Sequence, residues 1–310
     1  MIAKLSKRER YGMEVTAERI FTASIRDQGN EHFVRNTASV PVDPSVLKPV
    51  FRTENILDEK RFLESFHHVL PFSGPGRFGL CLPDASVKVF IKEFTELPRK
   101  AEDIRQMLFW SVSEFLRVPS DQVRIGWVYS GLNGDGRHVF VIAVAMEIVP
   151  AQYESVLKQA GIKVLLVAPS GFSRFNCYAG CIPQTGVRVY LGLFDDCLHA
   201  FVFNAGIPMF YKAVRRGAIG DSQASALEDV DLLLQHIHAE CSDLDIDSFF
   251  IASPVKSAAR LKEVLPPLTD TEFTIMDESE LVRIDESIQA DPPSGPLSYY
   301  AGALGTAQTV

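Results

Sequence analysis

Nowhere in its 310 residues does the chain hold the ~18 consecutive apolar residues that a membrane-crossing helix requires, and its first residues lack the apolar core of a signal peptide. A cytoplasmic location without direct transmembrane insertion is therefore expected. Cysteine is scarce as well. Cys81, Cys177, Cys181, Cys197 and Cys241 are odd in number and irregularly spaced, which excludes a disulfide framework and fits reduced thiols. An excess of positive charge is also missing. With 31 Lys and Arg against 39 Asp and Glu the net charge is -8, so the chain offers no broad basic face and nucleic acid is not an expected partner. The one local exception is the run Lys4, Lys7, Arg8, Arg10, which is either a solvated terminus or a segment that lies against anionic lipid or another protein. No repeat period or low-complexity tract interrupts the chain.

What remains is an ordinary globular composition, 46% hydrophobic and 23% charged, in a length that implies two lobes. Tyr11 to Ile25 reads as two strands around a polar turn, followed by a connection punctuated by Pro41, Pro44 and Pro49. Phe62, Leu63, Phe66 and Leu70 have the spacing of a helix over Asp58 to Leu70, and Phe78 to Leu82 reads as a buried strand. Ile104, Met107, Leu108, Val112, Phe115 and Leu116 predict a helix from Glu102 that stops before Pro119. Gln122 to Tyr129 and His138 to Ile148 are antiparallel strands around a Gly-rich link, and Ala151 to Ala160 is a helix before a strand at Lys163 to Ala168. The second half reads as strands Val187 to Gly192, Ala200 to Phe203 and Met209 to Val214, with a turn at Asn204 to Gly206. A helix (Leu227 to Cys241), a strand (Ser248 to Ala252) and a helix (Ser257 to Leu265) follow. Leu268 to Pro296 is an acidic surface loop with a short strand, and a last helix lies near Tyr299 to Ala307.

Two halves that each open with a glycine-containing hairpin form the pattern of actin-like ATPases, whose hairpins grip nucleotide phosphates with backbone N–H groups. In detail the chain resembles the PilM family of type IV pilus assembly proteins, relatives of the division protein FtsA. Gly12-Met-Glu-Val15 matches the family's first phosphate hairpin. Asn55-Ile-Leu-Asp58, Leu82-Pro83-Asp84, Phe94-Thr-Glu-Leu-Pro98 and Phe115-Leu-Arg-Val-Pro119 follow in family order. Tyr190-Leu-Gly192, Asn204-Ala-Gly206 and Phe210-Tyr-Lys212 resemble the second phosphate hairpin, and Tyr300-Ala-Gly-Ala-Leu-Gly305 the C-terminal helix. The resemblance implies an α/β, two-lobed, actin-like (ribonuclease H-like) fold. It places the first lobe at 1–84 and 162–182, an inserted α+β subdomain at 85–161, a second lobe with a reduced or absent helical lid at 183–296, and a terminal helix at 297–310.

The nucleotide motifs depart from the family's. Glu14 replaces an Asp, Thr16-Ala17 replaces Gly-Ser, Tyr190 replaces an acid, and Cys197 stands where a phosphate-facing Thr belongs, beside Asp195 and Asp196. Ala252-Ser253-Pro254 replaces the Gly-Gly pair on which adenine lies, and only Arg216 to Glu228 spans the place of the lid. The degenerate cofactor positions are thus Gly12, Glu14, Thr16, Gly192, Cys197, Gly206 and Ser253. No cofactor and no catalytic residue are expected, with a divergent ATPase binding ATP and Mg²⁺ as the alternative.

The resemblance further implies a scaffold, peripheral to the inner membrane through its partners. It binds the cytoplasmic tail of a bitopic PilN-like protein alongside other platform components of a pilus or related secretion system. The groove expected for that tail is edged by Phe78, Leu80, Leu82, Val87, Val89, Ile91, Met107 and Leu108. No metal is expected either. Cys177 and Cys181 lack a second ligand pair, and Asp243, Asp245 and Asp247 lack the Gly and Glu of a calcium loop. His67, His68, His236 and His238 read as ordinary surface or core histidines, and Gly131, Gly134 and Gly136 miss the dinucleotide spacing.

Overall fold

The computed structural model describes residues 9–28, 31–70, 76–216, 223–254, 265, 271–277, 282–284 and 296–310. Its first lobe grows from the expected hairpin. β1 (Glu9–Val15) and β2 (Arg19–Gln28) run antiparallel with Gly12 opposite Ala23 and Glu14 opposite Phe21. Thr16 closes the turn, its hydroxyl donating to the Arg19 carbonyl at 3.1 Å and accepting the Arg19 N–H at 3.0 Å. The chain then returns as β3 (Glu31–Pro41), antiparallel to β2, where the sequence suggests only a connection. The polar stretch Arg35 to Ser39 conceals the alternation, and the strand forms because β2 supplies a partner along its length.

β4 (Gly76–Leu82) lies parallel to β1, and β8 (Ile162–Pro169) parallel to β4. With β14 (Arg283–Ile284) the sheet order is β14-β3-β2-β1-β4-β8, so β8 is an edge strand among the described residues. Helix α1 (Glu59–His67) is capped by Asp58, whose carboxylate accepts the Arg61 N–H, and buries Phe62 and Phe66 against this sheet's core.

Between β4 and β8 the chain builds a second, smaller sheet from β5 (Lys88–Phe94), β6 (Val123–Leu132) and β7 (His138–Met146), in the order β5-β7-β6. Helix α2 (Ala101–Leu116) packs Leu108, Val112 and Leu116 into the same core as Phe140 and Ile142. Helix α3 (Ile148–Gln159) starts three residues before the expected Ala151, since Pro150 sits in the first turn, where a missing N–H breaks no helical bond. Gln152 of α3 fastens the loop before α1. Its Oε1 accepts the N–H groups of Asn55 and Ile56 at 2.8 and 2.9 Å, and its Nε2 donates to the Ile56 carbonyl.

The second lobe is a five-stranded sheet of β9 (Val187–Leu193), β10 (Cys197–Asn204), β11 (Ile207–Arg215), β12 (Ser248–Ala252) and β13 (Glu272–Ile275), ordered β11-β10-β9-β12-β13. Helix α5 (Gln223–Glu240) buries Leu233, Leu234 and Ile237 against Val189, Leu191 and Phe249. Residues 216–222 link β11 to α5, too few for a further helical subdomain. The expected helix over Ser257 to Leu265 lies outside the described residues except for Leu265.

Two helices join the lobes. α4 (Ser170–Tyr178) leaves β8 directly and is absent from the sequence reading. Its Phe172 and Phe175 stack among Tyr190, Phe201, Phe203 and Tyr211 of the second lobe, with ring centroids 4.7–5.3 Å apart. α6 (Ala301–Thr309), the expected C-terminal helix, crosses β1, β2, β4 and α4. The crossing is close because small residues meet at it. A Cβ on Gly12 would stand 1.9 Å from the Ala303 carbonyl oxygen, and one on Gly305 1.8 Å from the Ser173 carbonyl oxygen.

Candidate functional site

At the carboxyl ends of β1, β4 and β8, where the first lobe faces the second, the chain collects buried charge. Glu14 on β1 is fully buried. Its Oε1 accepts hydrogen bonds from the Ser170 hydroxyl and, at 2.7 Å, from Arg174 Nε, and its carboxylate rests against Gly302 of α6. Burial pushes the Glu14 carboxyl upward, against the opposing pull of Arg174. Arg174, 4% exposed, reaches onward across the cleft. Its Nη1 lies 2.9 Å from Asp196 in the β9–β10 turn, and its guanidinium stacks 4.3 Å over the Phe194 ring. One guanidinium therefore holds an acid from each lobe.

A second clasp lies beside it. Asp84, just after β4, accepts hydrogen bonds from Tyr211 Oη and, on its other oxygen, from His199 Nε2, both at 2.9 Å. It also accepts the Gly171 N–H at 3.1 Å. Gly171 opens α4, so the positive end of that helix, a natural seat for a phosphate, is taken by the protein's own carboxylate. Burial alone would raise the Asp84 carboxyl, yet His199, Arg174 and Tyr211 together hold it below its ordinary 3.8. A depressed folded-state value means stability that is present above pH 3.8 and lost as pH falls through the folded value. Asp84→Asn is accordingly expected to cost about 1.5–3 kcal/mol at neutral pH. In urea melts the gap to the unaltered chain should narrow below pH 3.8; a gap independent of pH would refute the ionised role.

Asp84, Cys197 and His199 bring one potential metal ligand each within 4.8 Å of one another, the one such group among the described residues. They are the residues that could hold a cation. A cation there would displace the hydrogen bond joining ring and carboxylate and sit near Arg174, and burial raises the Cys197 thiol well above its ordinary range. His199 Nδ1 and Tyr190 Oη are buried without a partner, and both lie about as far as a hydrogen bond from the space above Gly192, 3.3 and 3.2 Å from where its Cβ would stand.

Of the positions expected to meet a nucleotide, the structure gathers Glu14, Gly192 and Cys197 around Arg174 and Asp84. Ser253 lies just beyond Ala252, the partner of Gly192 across the strands. Gly12 does not face the cleft as a phosphate cradle would; it makes room for α6. Thr16 closes its own turn. Gly206 is misassigned: it forms the β10–β11 turn at the far end of the eight-residue β10, nine residues from Cys197, and takes φ 79 there. A strand of that length separates it from the cleft by roughly 25 Å. The sequence reading missed Arg174, His199, Tyr211 and Ser170. A signal existed, since Ser170 follows a strand and a proline, and Arg174 sits on a helical face otherwise made of Gly171, Cys177 and Tyr178.

Away from this cleft the surface is hollowed in at least two places, one of about 330 Å³ beside Val40, Asp43, Arg61 and His68. The second, a groove with a volume of about 260 Å³, runs between the edge strand β8, from Val164 to Pro169, and the small sheet's Arg124, Gly126, Ala143 and Ala145. Arg124 is pinned at its wall by bidentate bonds to both Glu147 and Glu154. Of the residues named for a partner groove, Leu82 and Val87 line this one. Phe78, Leu80 and Leu108 do not, because they are fully buried core residues, and Met107 packs against that core from α2. Val89 and Ile91 share the groove's sheet face but lie on β5, which packs against β11. The error has one cause: β4 is central in its sheet, so its apolar face meets α1 and α3, while the edge position falls to β8.

No family profile matches the chain, and no curated protein is significantly similar to it in sequence. Its fold is nonetheless recognisable. The chain is similar to a solved chain of the PilM-PilN type IV pilus biogenesis complex, at 13% identity and a TM-score of 0.74 over 98% of both chains. It is also similar to a Bacteroides thetaiotaomicron protein of actin-like ATPase fold and unknown function (11%, TM-score 0.55, 97% and 98% covered). A third likeness is to the cytoplasmic domain of EpsL, an inner-membrane component of the type II secretion system of Vibrio cholerae (12%, TM-score 0.52, 98% and 96% covered). The chain has the two-lobed actin-like fold.

Proposed function

We propose that this chain is a docking platform of a type IV pilus or related secretion assembly. It would bind the cytoplasmic tail of a bitopic, PilN-like membrane protein without hydrolysing ATP. The observation that carries the reading is the groove along β8. A free strand edge offers unpaired N–H and C=O groups, and the facing small sheet offers apolar pockets, the two requirements for adding an extended peptide as a further strand. The likeness to a PilM–PilN complex and to a secretion-system cytoplasmic domain supports the choice of partner, and the absence of a membrane-spanning helix among the described residues suits peripheral attachment.

The state of the cleft supports the absence of hydrolysis. Arg174 puts a fixed positive charge between an acid of each lobe, which would repel a metal ion, and Asp84 occupies the helix end that would receive phosphate. Calorimetric titration with Mg-ATP is expected to give no heat up to millimolar concentration. Micromolar binding would instead favour a divergent ATPase.

The groove can be blocked without touching the core. A Cβ on Gly126 meets nothing within 4 Å, so Gly126→Phe fills the groove rather than straining the sheet. Binding of a synthetic peptide copying the tail of the genomically neighbouring bitopic protein, followed by fluorescence anisotropy, should weaken about tenfold or more, with the melting temperature unchanged. Undiminished binding by a folded Gly126→Phe variant would move the tail to another surface.

A further inference from the structure

We infer that the end of the first-lobe sheet opposite the cleft is a binding face for an anionic lipid surface. Five adjacent strands each bring one cation to this end: Arg35 on β3, Arg26 on β2, Arg10 on β1, Arg77 on β4 and Lys163 on β8. The register sets Arg10, Arg77 and Lys163 level on one face of the sheet, with Arg77 opposite Lys163, while Arg26 and Arg35, both beside Glu9, lie at the same end on the other face. With strands about 4.8 Å apart the five cations span roughly 20 Å. Lys7 and Arg8 lead directly into β1, and Lys158 closes α3 two residues before the Ala160–Gly161 turn into β8.

The carboxylates at this end are outnumbered. Glu9 lies 3.5 and 3.6 Å from Arg26 and Arg35, Asp27 bonds Arg10 and His32, and Glu31 pairs with Arg283. Arg77 and Lys163 are exposed and form no ion pair among the described residues. A chain of net charge -8 has thus concentrated positive charge at one end of one sheet, which orients it against a negative plane. Cations spread along the end of a sheet suit a surface of lipid headgroups, which meets them together, better than one small anion. Each cation brought to an anionic leaflet contributes roughly fivefold in affinity. The groove begins at Val164, next to Lys163, so a tail emerging from the same membrane would meet the groove at its near end. The lipid face does not depend on that tail.

The test is co-sedimentation of the full chain with vesicles of phosphatidylcholine alone or mixed in equal parts with phosphatidylglycerol. Binding is expected to the anionic vesicles only, to fall as NaCl shortens the screening length, and to drop at least about tenfold in the double variant Arg77→Glu/Lys163→Glu. Both sites are exposed, and an unchanged melting temperature verifies the variant's fold. Gly126→Phe should bind vesicles as the unaltered chain does, which separates this face from the peptide groove. Equal sedimentation with neutral vesicles, none with anionic vesicles at low salt, or indifference to the charge reversal would overturn the inference. Retention on immobilised polyglutamate without vesicle binding would also overturn it and assign the face to an acidic protein.

Discussion

Arg174→Met should destabilise the chain by about 3–5 kcal/mol, the range for removing one partner from a buried ion network. The methionine fills the space of the aliphatic stem but leaves Glu14 with only the Ser170 hydroxyl and Asp196 without its partner in the other lobe. Glu14 answers by remaining protonated, which burial already favours, and so recovers part of the loss. Arg174→Met/Glu14→Gln, which removes both members of the buried pair, is therefore expected to be less destabilised than the single variant, because no charge is stranded at the first-lobe side. Urea denaturation followed by circular dichroism measures both. If the single variant loses under 1 kcal/mol, the guanidinium is a bystander and the cleft is free for another cation.

The second large effect separates two roles for one glycine. As a phosphate cradle, Gly12 would tolerate alanine in folding and lose only nucleotide binding. In this structure an added methyl would overlap the Ala303 carbonyl and approach the Ala307 amide to 2.8 Å, both backbone atoms of α6 that cannot rotate aside. Gly12→Ala is expected to cost about 3 kcal/mol or more, the upper part of the range for overpacking, and to loosen α6 from β1. Gly134→Ala, where a Cβ meets nothing within 4 Å, is the matched control and should change stability by less than about 0.5 kcal/mol. Hydrogen exchange of the α6 amides in Gly12→Ala would report the loosening directly, and a thermally unaltered Gly12→Ala would sink the packing role.

Both effects concern surfaces between elements, and this is where reading the chain alone reached its limit. Helices α1, α2, α3, α5 and α6 and most strands announce themselves by periodicity and punctuation, because those signals are local: Asp58 caps, Pro119 stops, Gly161 turns. The two-lobed actin-like fold was implied by a family resemblance in the order and spacing of short motifs on those elements. β3 and α4 escaped, the first because Arg35 to Ser39 carry no apolar alternation, the second because Gly171 and Asn176 are poor helix formers and its aromatic residues serve the lobe interface.

The sequence by itself determined that Glu14, Thr16, Tyr190, Cys197 and Ser253 depart from what the resemblance leads one to expect at those positions. Only the tertiary structure decided what such positions meet, since Arg174 meets Glu14 across 160 residues and Asp84 meets His199 across 115. It also decided which strand stands at the sheet edge among the described residues, β8 rather than β4. Contact between distant residues is fixed by the order of strands and the closeness of helices, which many sequences share and no single stretch encodes.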